Sequence, residues 1–245
     1  MTVPLLIRPR RLARLLRSDM LNIGRDPTLM FSVCLSALLP LALWHWRTDL
    51  DRMASSAFPV AGISTYFVPV TLALPPFLIG WVSGFLLLED REDGPLFALE
   101  VSPPGKTGFA LYRVSLAALA CFILTAFSAT ALLPDPYAVD VLLMATLTGL
   151  EACAVALALP AIAGNRVEGL ALTKLLNLFS IAPLLALLPS PYRLFSGVVP
   201  TTWLGIFART GGEIGIPWAL AAALALAVHL AICALVFRLY AKRIG

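Results

Sequence analysis

Eight of the chain's thirty-two Asp, Glu, Lys and Arg side chains fall within residues 89–113: Glu89, Asp90, Arg91, Glu92, Asp93, Glu100, Lys106 and Arg113. The stretch reads EDREDGPLFALEVSPPGKTGFALYR: an acidic cluster, a Gly-Pro break, a short apolar piece, then Ser-Pro-Pro-Gly-Lys. Long apolar runs flank it, so the segment is expected to sit in water. Carboxylates at this density could hold a hard cation such as Mg²⁺, which takes oxygen ligands. No His or Asn accompanies them and Arg91 stands inside the cluster, which disfavours a metal. The order of features fits a docking element at a membrane surface better than a plain turn.

A second candidate for chemistry is Glu151, near the middle of the apolar run 139–164. An ionisable group at that depth is costly and usually faces a bundle interior or an aqueous cavity. Two roles stay open. Glu151 is a polar contact for a substrate or a proton-linked switch, or it is a neutral residue hydrogen-bonded near Thr146, Thr148 or a neighbouring span. Gly149 beside it permits close helix approach in either case.

Other signals point away from catalysis. Gly105-Lys106-Thr107 resembles the end of a phosphate-binding loop, but Glu100 stands where that motif needs a glycine and no strand precedes it. Nucleotide binding is therefore not expected on this chain. His45 lies between Trp44 and Trp46 at the outer end of an apolar run, where amphipathic rings collect. His229 lies inside the last run and is expected to pack or hydrogen-bond. Two such histidines build no HExxH or Ser-His-Asp set. Cys34, Cys121, Cys153 and Cys233 all lie in apolar runs without metal-ligand spacing, and read as small buried hydrophobes.

The elements that must position these residues are membrane spans. Of the 245 residues 60% are hydrophobic and only 13% charged; mean hydropathy is +0.89. A soluble domain carries about 25% charged residues. A hydrocarbon layer of ~30 Å needs about 20 apolar helical residues. Six segments qualify: 28–46, 60–88, 109–133, 139–164, 170–188 and 217–240. The fold class is thus an all-α membrane protein of six transmembrane helices. Pro69, Pro75 and Pro76 predict a kink or break in the second span. The fifth is short, with Lys174 and Asn177 near its start and Pro183 inside it.

Residues 1–27 form a separate N-terminal segment and 28–245 the spanning domain. Leu5, Leu12, Leu15, Leu16, Met20 and Ile23 recur near helical spacing with arginines between them. This predicts a basic amphipathic helix lying against anionic headgroups. It is either an ordinary juxtamembrane anchor or an elbow that also borders a cytoplasmic partner. Asp26-Pro27 marks the break before the first span. No small-residue cleavage pattern follows that first run, so no cleavable signal is expected.

Lys and Arg set the orientation. With six spans both termini share a side. That side holds fourteen cations: Arg8, Arg10, Arg11, Arg14, Arg17, Arg25, Arg91, Lys106, Arg113, Arg166, Lys174, Arg238, Lys242 and Arg243. The other holds four: Arg47, Arg52, Arg193 and Arg209. The termini and loops 89–113 and 164–174 are expected in the cytoplasm, with loops 47–58, 134–140 and 189–216 outside. Asn165, Arg166, Glu168 and Lys174 make either a charged turn or a second cytoplasmic contact point. In 189–216, Tyr192, Leu194, Phe195, Trp203, Leu204, Ile206 and Phe207 suggest a re-entrant or interfacial piece, or equally an amphipathic lid.

With these residues in place, the chain resembles the permease subunit of ABC-2-type exporters over most of its length. The likeness rests on the helix at 5–23, two spans, and a loop matching the family pattern at Glu89, Glu92, Gly94, Leu96, Leu99, Ser102, Pro103 and Lys106. Residues 165–169 with Lys174 are similar to the second cytoplasmic loop of some members. Heme and polysaccharide exporters share this architecture, and no motif selects a branch or a substrate. The resemblance implies a subunit of the inner (plasma) membrane that breaks no bond itself. A second permease copy or a paralogue would meet it in the bilayer, and two ABC ATPase subunits would carry ATP and Mg. It implies coupling to the ATPase through Glu89, Glu92, Gly94, Leu96, Leu99 and Lys106, with loop 89–106 moving as a lever. Glu151 is assigned to the substrate path. Lipid is the other expected partner, and nucleic acid is not one.

Two readings compete. An integral membrane enzyme acting on lipids would use Glu89, Asp90, Glu92 and Asp93 to hold Mg²⁺. An ion-coupled secondary transporter would need internal repeats and several buried ionisable groups; only Glu151 is of that kind and no repeat is visible. A non-transporting scaffold is the remaining alternative.

Overall fold

The computed structural model of the chain describes residues 9–57, 62–92, 105–189, 191–208 and 215–244. Among the described residues there is no strand. Six segments are long and apolar enough to cross a bilayer, as the hydropathy pattern predicts. In chain order the helices are α1 (Pro9–Arg25), α2 (Pro27–Ala57), α3 (Ser64–Glu92), α4 (Gly105–Leu132), α5 (Ala138–Ile162) and α6 (Arg166–Asn177). Then come a 3-10 stretch (Leu178–Leu187), α7 (Tyr192–Phe195), a second 3-10 turn (Ser196–Val198), α8 (Thr202–Ala208) and α9 (Trp218–Ile244). The spans are α2, α3, α4, α5, Arg166–Leu187 and α9.

Asp26 separates α1 from α2, as the Asp-Pro pair predicts. Its Oδ1 accepts the amides of Thr28 at 2.7 Å and Leu29 at 3.2 Å, so it caps α2, and Pro27 sits where no amide is needed. Leu15 and Leu16 of α1 pack against a cluster containing Leu87, Phe109, Tyr112 and Tyr240, while Arg14 and Arg17 are exposed.

Three helices outrun their expected ends. α2 continues to Ala57, so most of the outward loop expected at 47–58 is helix. α3 continues to Glu92, so Glu89, Asp90, Arg91 and Glu92 form its last turn instead of a loop. At 1.5 Å per residue the 29 residues of α3 span about 43 Å, more than the ~30 Å hydrocarbon layer, which lets its charged end stand clear. α6 begins at Arg166, so the turn expected at 164–174 is mostly helix too. The prolines of α3 do not break it: Pro69, Pro75 and Pro76 lie within one uninterrupted helix. All three are buried, where packed neighbours cover the groups a proline frees.

α3 and α5 form the centre. In their most apolar windows 72% and 78% of residues are buried, against 22–33% in the other four spans. The two backbones come close: a Cβ on Gly84 would lie 2.6 Å from the Ala156 carbonyl oxygen. Gly149 brings α5 close to α4 as well, where a Cβ would lie 3.2 Å from the Ala118 oxygen, as its position beside Glu151 suggests. The outer helices turn apolar faces outward, including Phe31 and Leu38 on α2, Ile123 and Phe127 on α4, and Leu230 and Leu235 on α9. A surface of that kind matches hydrocarbon. Cys34 lies on it, exposed, against the expectation that all four cysteines are buried. Cys121 is buried, Cys153 and Cys233 are half-buried, and all are free.

The fifth span changes winding. Its α-helix gives way at Leu178 to ten residues of 3-10 helix containing Pro183, an unusually long run of that type. Residues 202–207 of α8 are all buried and pack on this stretch and on α3. A Cβ on Gly205 would collide with the Pro183 carbonyl, so α8 and the 3-10 stretch touch backbone to backbone. Trp203 donates from Nε1 to the Gly197 oxygen at 2.8 Å. The described part of 189–216 therefore folds α8 into the bundle and leaves Tyr192 and Phe195 exposed, so α8 is not a surface lid.

Candidate functional site

The charged end of the bundle is tied together by four arginines. Arg113 of α4 is 4% exposed, although the sequence places it in a solvated stretch. Its guanidinium donates to both oxygens of Asp19 on α1, at 2.7 Å and 3.3 Å, and to Asp90 on α3. It also lies 4.6 Å over the Phe109 ring. Three helices meet on this one side chain, and the five N–H donors in its planar fork make that possible.

Arg91 satisfies the end of α5. A helix leaves its last carbonyls without partners. Arg91 donates to the oxygens of Pro160 at 2.7 Å, Ala163 at 2.7 Å and Gly164 at 3.1 Å. Arg243 of α9 adds bonds to Ala161 and Ile162 at 2.9 Å and 2.7 Å. Both cations also complement the negative end of the helix.

Arg166 joins the two loops that the sequence singles out. It pairs with Glu89 at 3.2 Å and Glu92 at 3.0 Å. Its backbone amide donates to Glu92 Oε1 at 2.8 Å. Next to it Asn165 caps α6. The Asn165 side chain accepts the Glu168 amide at 2.9 Å, and Glu168 accepts from the Gly164 amide at 2.6 Å and Asn165 Nδ2 at 3.0 Å. Residues 165–168 are thus an ordered helix start fastened to the last turn of α3. Asp19, Asp90, Glu89 and Glu92 are engaged by arginine. Among the described residues no three His, Cys, Asp or Glu side chains group as metal ligands.

Of the residues predicted to couple to a partner, Glu89 and Glu92 are placed here, at the base of segment 93–104. Gly94, Leu96 and Leu99 lie outside the described residues, as do Asp93, Glu100, Ser102 and Pro103. Lys106 lies in the first turn of α4.

Glu151 lies midway along α5 and is 5% exposed. Thr146 and Thr148 do not bind it. Their hydroxyls donate to the Leu142 and Ala145 oxygens of their own helix. Glu151 lines a cavity of about 290 Å³ bounded by α3, α5, α9, the fifth span and residues 198–201. Its Oε2 has no hydrogen-bond partner. Two further unpartnered atoms belong to residues on the same cavity, Thr201 Oγ1 and His229 Nε2. Sequence reasoning passes over both. His229 reads as a packing residue, and Thr201 lies in a loop with no motif.

A second cavity of about 660 Å³ lies between α2, α3, α8 and the turn before α5, lined by Arg47, Asp51, Ser64, Tyr137 and Asp140 among others. Four of its polar side chains are bonded. Asp51 accepts the amide and the hydroxyl of Ser64, each at 2.7 Å; Asp140 accepts Trp218 Nε1 at 2.7 Å; Arg47 donates to the Leu132 oxygen at 3.3 Å.

The profile of a family described as Rv2686c-like, fluoroquinolones export permease protein Rv2686c-like, matches residues 19–237. Two curated proteins of Mycobacterium tuberculosis are similar to the chain: the fluoroquinolones export permease proteins MT2760 (strain CDC 1551 / Oshkosh) and Rv2686c (strain ATCC 25618 / H37Rv). Each is 25% identical over 218 residues, 86% of either chain. No solved structure matches.

Proposed function

The chain belongs to the Rv2686c-like fluoroquinolone export permease family, a family of ABC-2-type permeases, and from that premise we propose that it is the membrane subunit of an ATP-driven exporter. It is a multi-pass membrane permease. In the proposed complex ATP and Mg are carried by a separate ABC ATPase, and a second permease, identical or paralogous, completes the path. Fourteen cations against four support a reading with both termini in the cytoplasm. α1, with its exposed Arg14 and Arg17, then lies along the inner leaflet. The names of the relatives make amphipathic drugs such as fluoroquinolones the first substrates to try, moving outward.

One observation carries the coupling part of this reading: the junction between the last turn of α3, the end of α5 and the start of α6. Residues 93–104 follow that turn in the sequence, and Gly94, Leu96, Leu99 and Lys106 would meet the ATPase. A push on that segment acts on α3 directly. Arg91 passes it to the end of α5, and Glu89 and Glu92 pass it through Arg166 to α6. Both central helices therefore respond together.

The test is co-purification in nanodiscs of the permease with ABC ATPases co-expressed from the same genome. The wild type is expected to bring the ATPase down, and the double variant Glu92→Lys, Leu96→Asp to lose it while remaining monodisperse. A wild type that retains no ATPase, with the permease intact, overturns the reading.

A further inference from the structure

The cavity beside Glu151 has a chemical signature of its own. His229 Nδ1 lies 2.7 Å from the Ala225 carbonyl oxygen. A carbonyl only accepts, so Nδ1 carries the ring proton and Nε2 of the neutral ring presents a lone pair. In its ionised form the Glu151 carboxylate also only accepts, and the Thr201 hydroxyl turns either way. The three residues are at most 5% exposed, and Oε2, Nε2 and Oγ1 are all without partners. Between them the only donor is one hydroxyl. The remaining lining is apolar, with Phe77, Val155, Phe179, Ile232 and Val236 among the walls.

Water fits this site poorly. One water occupies about 30 Å³, and the cavity is close to ten times that with almost no polar wall to hold more. Its volume instead approaches the ~300 Å³ at the lower end of small-molecule pockets, which share this pattern of apolar walls and a few convergent polar atoms. An ionised carboxylate without a partner at that depth is costly, and a cation bound beside it removes the cost. An ammonium group offers N–H donors to match the unpartnered acceptors.

We propose that this cavity binds an amphipathic amine, with the protonated nitrogen on Glu151, His229 Nε2 and Thr201 and the apolar body between α3, α9 and the fifth span. Treating that amine as cargo rests on the exporter reading; the binding itself does not. The site explains why a chain with so few charges inside its spans keeps one carboxylate and one imidazole facing the same space.

The experiment uses the full chain in nanodiscs, with neither ATPase nor nucleotide. The probes are dansylcadaverine, an apolar fluorophore bearing a primary amine, and its N-acetylated form, which keeps the body and loses the charge. Saturable binding is read as fluorescence above empty nanodiscs. The amine is expected to bind at least about tenfold more tightly than the acetylated probe, the scale of a hydrogen bond to a charged group. Glu151→Gln is expected to erase that preference and leave the acetylated probe unchanged, which also reports a folded cavity. Thr201→Val is expected to weaken the amine by a few-fold. If Glu151→Gln does not fold, Ile232→Trp fills the space and leaves all three polar residues in the chain, and it should exclude both probes. Equal binding of the two probes to the wild type overturns the proposal. So does a preference that survives Glu151→Gln, or amine binding undisturbed by Ile232→Trp. Loss of amine binding with the ATPase still co-purifying sinks the site alone; intact amine binding without an ATPase sinks only the exporter reading.

Discussion

At the charged end of the bundle, Arg113, Arg91 and Arg166 spend their donors on carboxylates and helix-end carbonyls. In the cavity at the middle of α5, three buried polar atoms make no hydrogen bond, although Thr201 lies near enough to Glu151 to interact with it. Both regions place polar groups where they are costly, but they answer that cost differently. A satisfied network fixes geometry, because removing any member exposes the others. An unsatisfied set weakens the resting fold and is retained where something else completes it. The first region therefore looks like a frame and the second like a seat. Substitutions should separate them: large losses of stability in the frame, small ones in the seat.

Arg113→Ala should have the largest effect. Its side chain is 5% exposed and that of Asp19 9%, so the change strands one carboxylate inside the bundle and another at its edge. Removing one partner of a buried pair costs about 3–5 kcal/mol. We expect that loss in chemical unfolding of the detergent-solubilised protein, with poor expression as its first sign. Asp19→Leu, Asp90→Leu and Arg113→Met together should recover most of it, since no charge is then left unpaired. A triple variant no better than Arg113→Ala would mean that the network is needed for more than neutrality.

Arg91→Ala follows. It leaves three carbonyl oxygens at the end of α5 without that donor, but water reaches this edge, so the loss should be about 1–2 kcal/mol. Arg91→Lys should restore part of it. One ammonium cannot span the three oxygens as the planar fork does. Hydrogen exchange at the last turn of α5 would show the local opening, and no change there would remove Arg91 from the frame.

The six spans could be read from hydropathy because membrane solvent imposes a length and a composition on any helix that crosses it. Glu151 was legible for the same reason, as a charge where hydrocarbon forbids one. What completed each site was not. Arg113 finds Asp19 across ninety-four residues of sequence, and nothing local in either residue signals the pairing. The cluster 89–92 read as solvated because charge density argues for water. It became the last turn of α3 because that helix is longer than the bilayer is thick, and its charges turned inward to arginines from other segments. Thr201 was invisible. A hydroxyl in a loop has meaning only once α8 has folded into the bundle and carried the loop against α5. His229 reads as a residue that packs or hydrogen-bonds, and its Nδ1 bond to the Ala225 oxygen is of that kind; its Nε2 has no hydrogen-bond partner.

Glu92→Gln should weaken the frame only slightly. Glu92 and Arg166 have side chains 28% and 35% exposed, and a pair so wet is worth roughly 0.2–1 kcal/mol, less in high salt. The amide can still accept the Arg166 backbone N–H, so the start of α6 should hold. A measured loss above that range that salt does not reduce would move Glu92 from the rim of the frame into its middle.

Glu151→Leu should change stability least, within about 1 kcal/mol of zero and in either direction. The carboxylate gains nothing from a hydrogen bond at Oε2 in the resting fold, and leucine of similar size suits the apolar wall around it. The comparison with Arg113 is sharp because both groups are buried and ionisable, and only the number of partners differs. If Glu151→Leu proves as damaging as Arg113→Ala, the carboxylate has a structural partner and the two regions are one kind of thing. If stability holds while the preference for an amine disappears, the unpaired acceptor is there for a ligand. The polar middle of the bundle is then kept for binding and its charged end for holding.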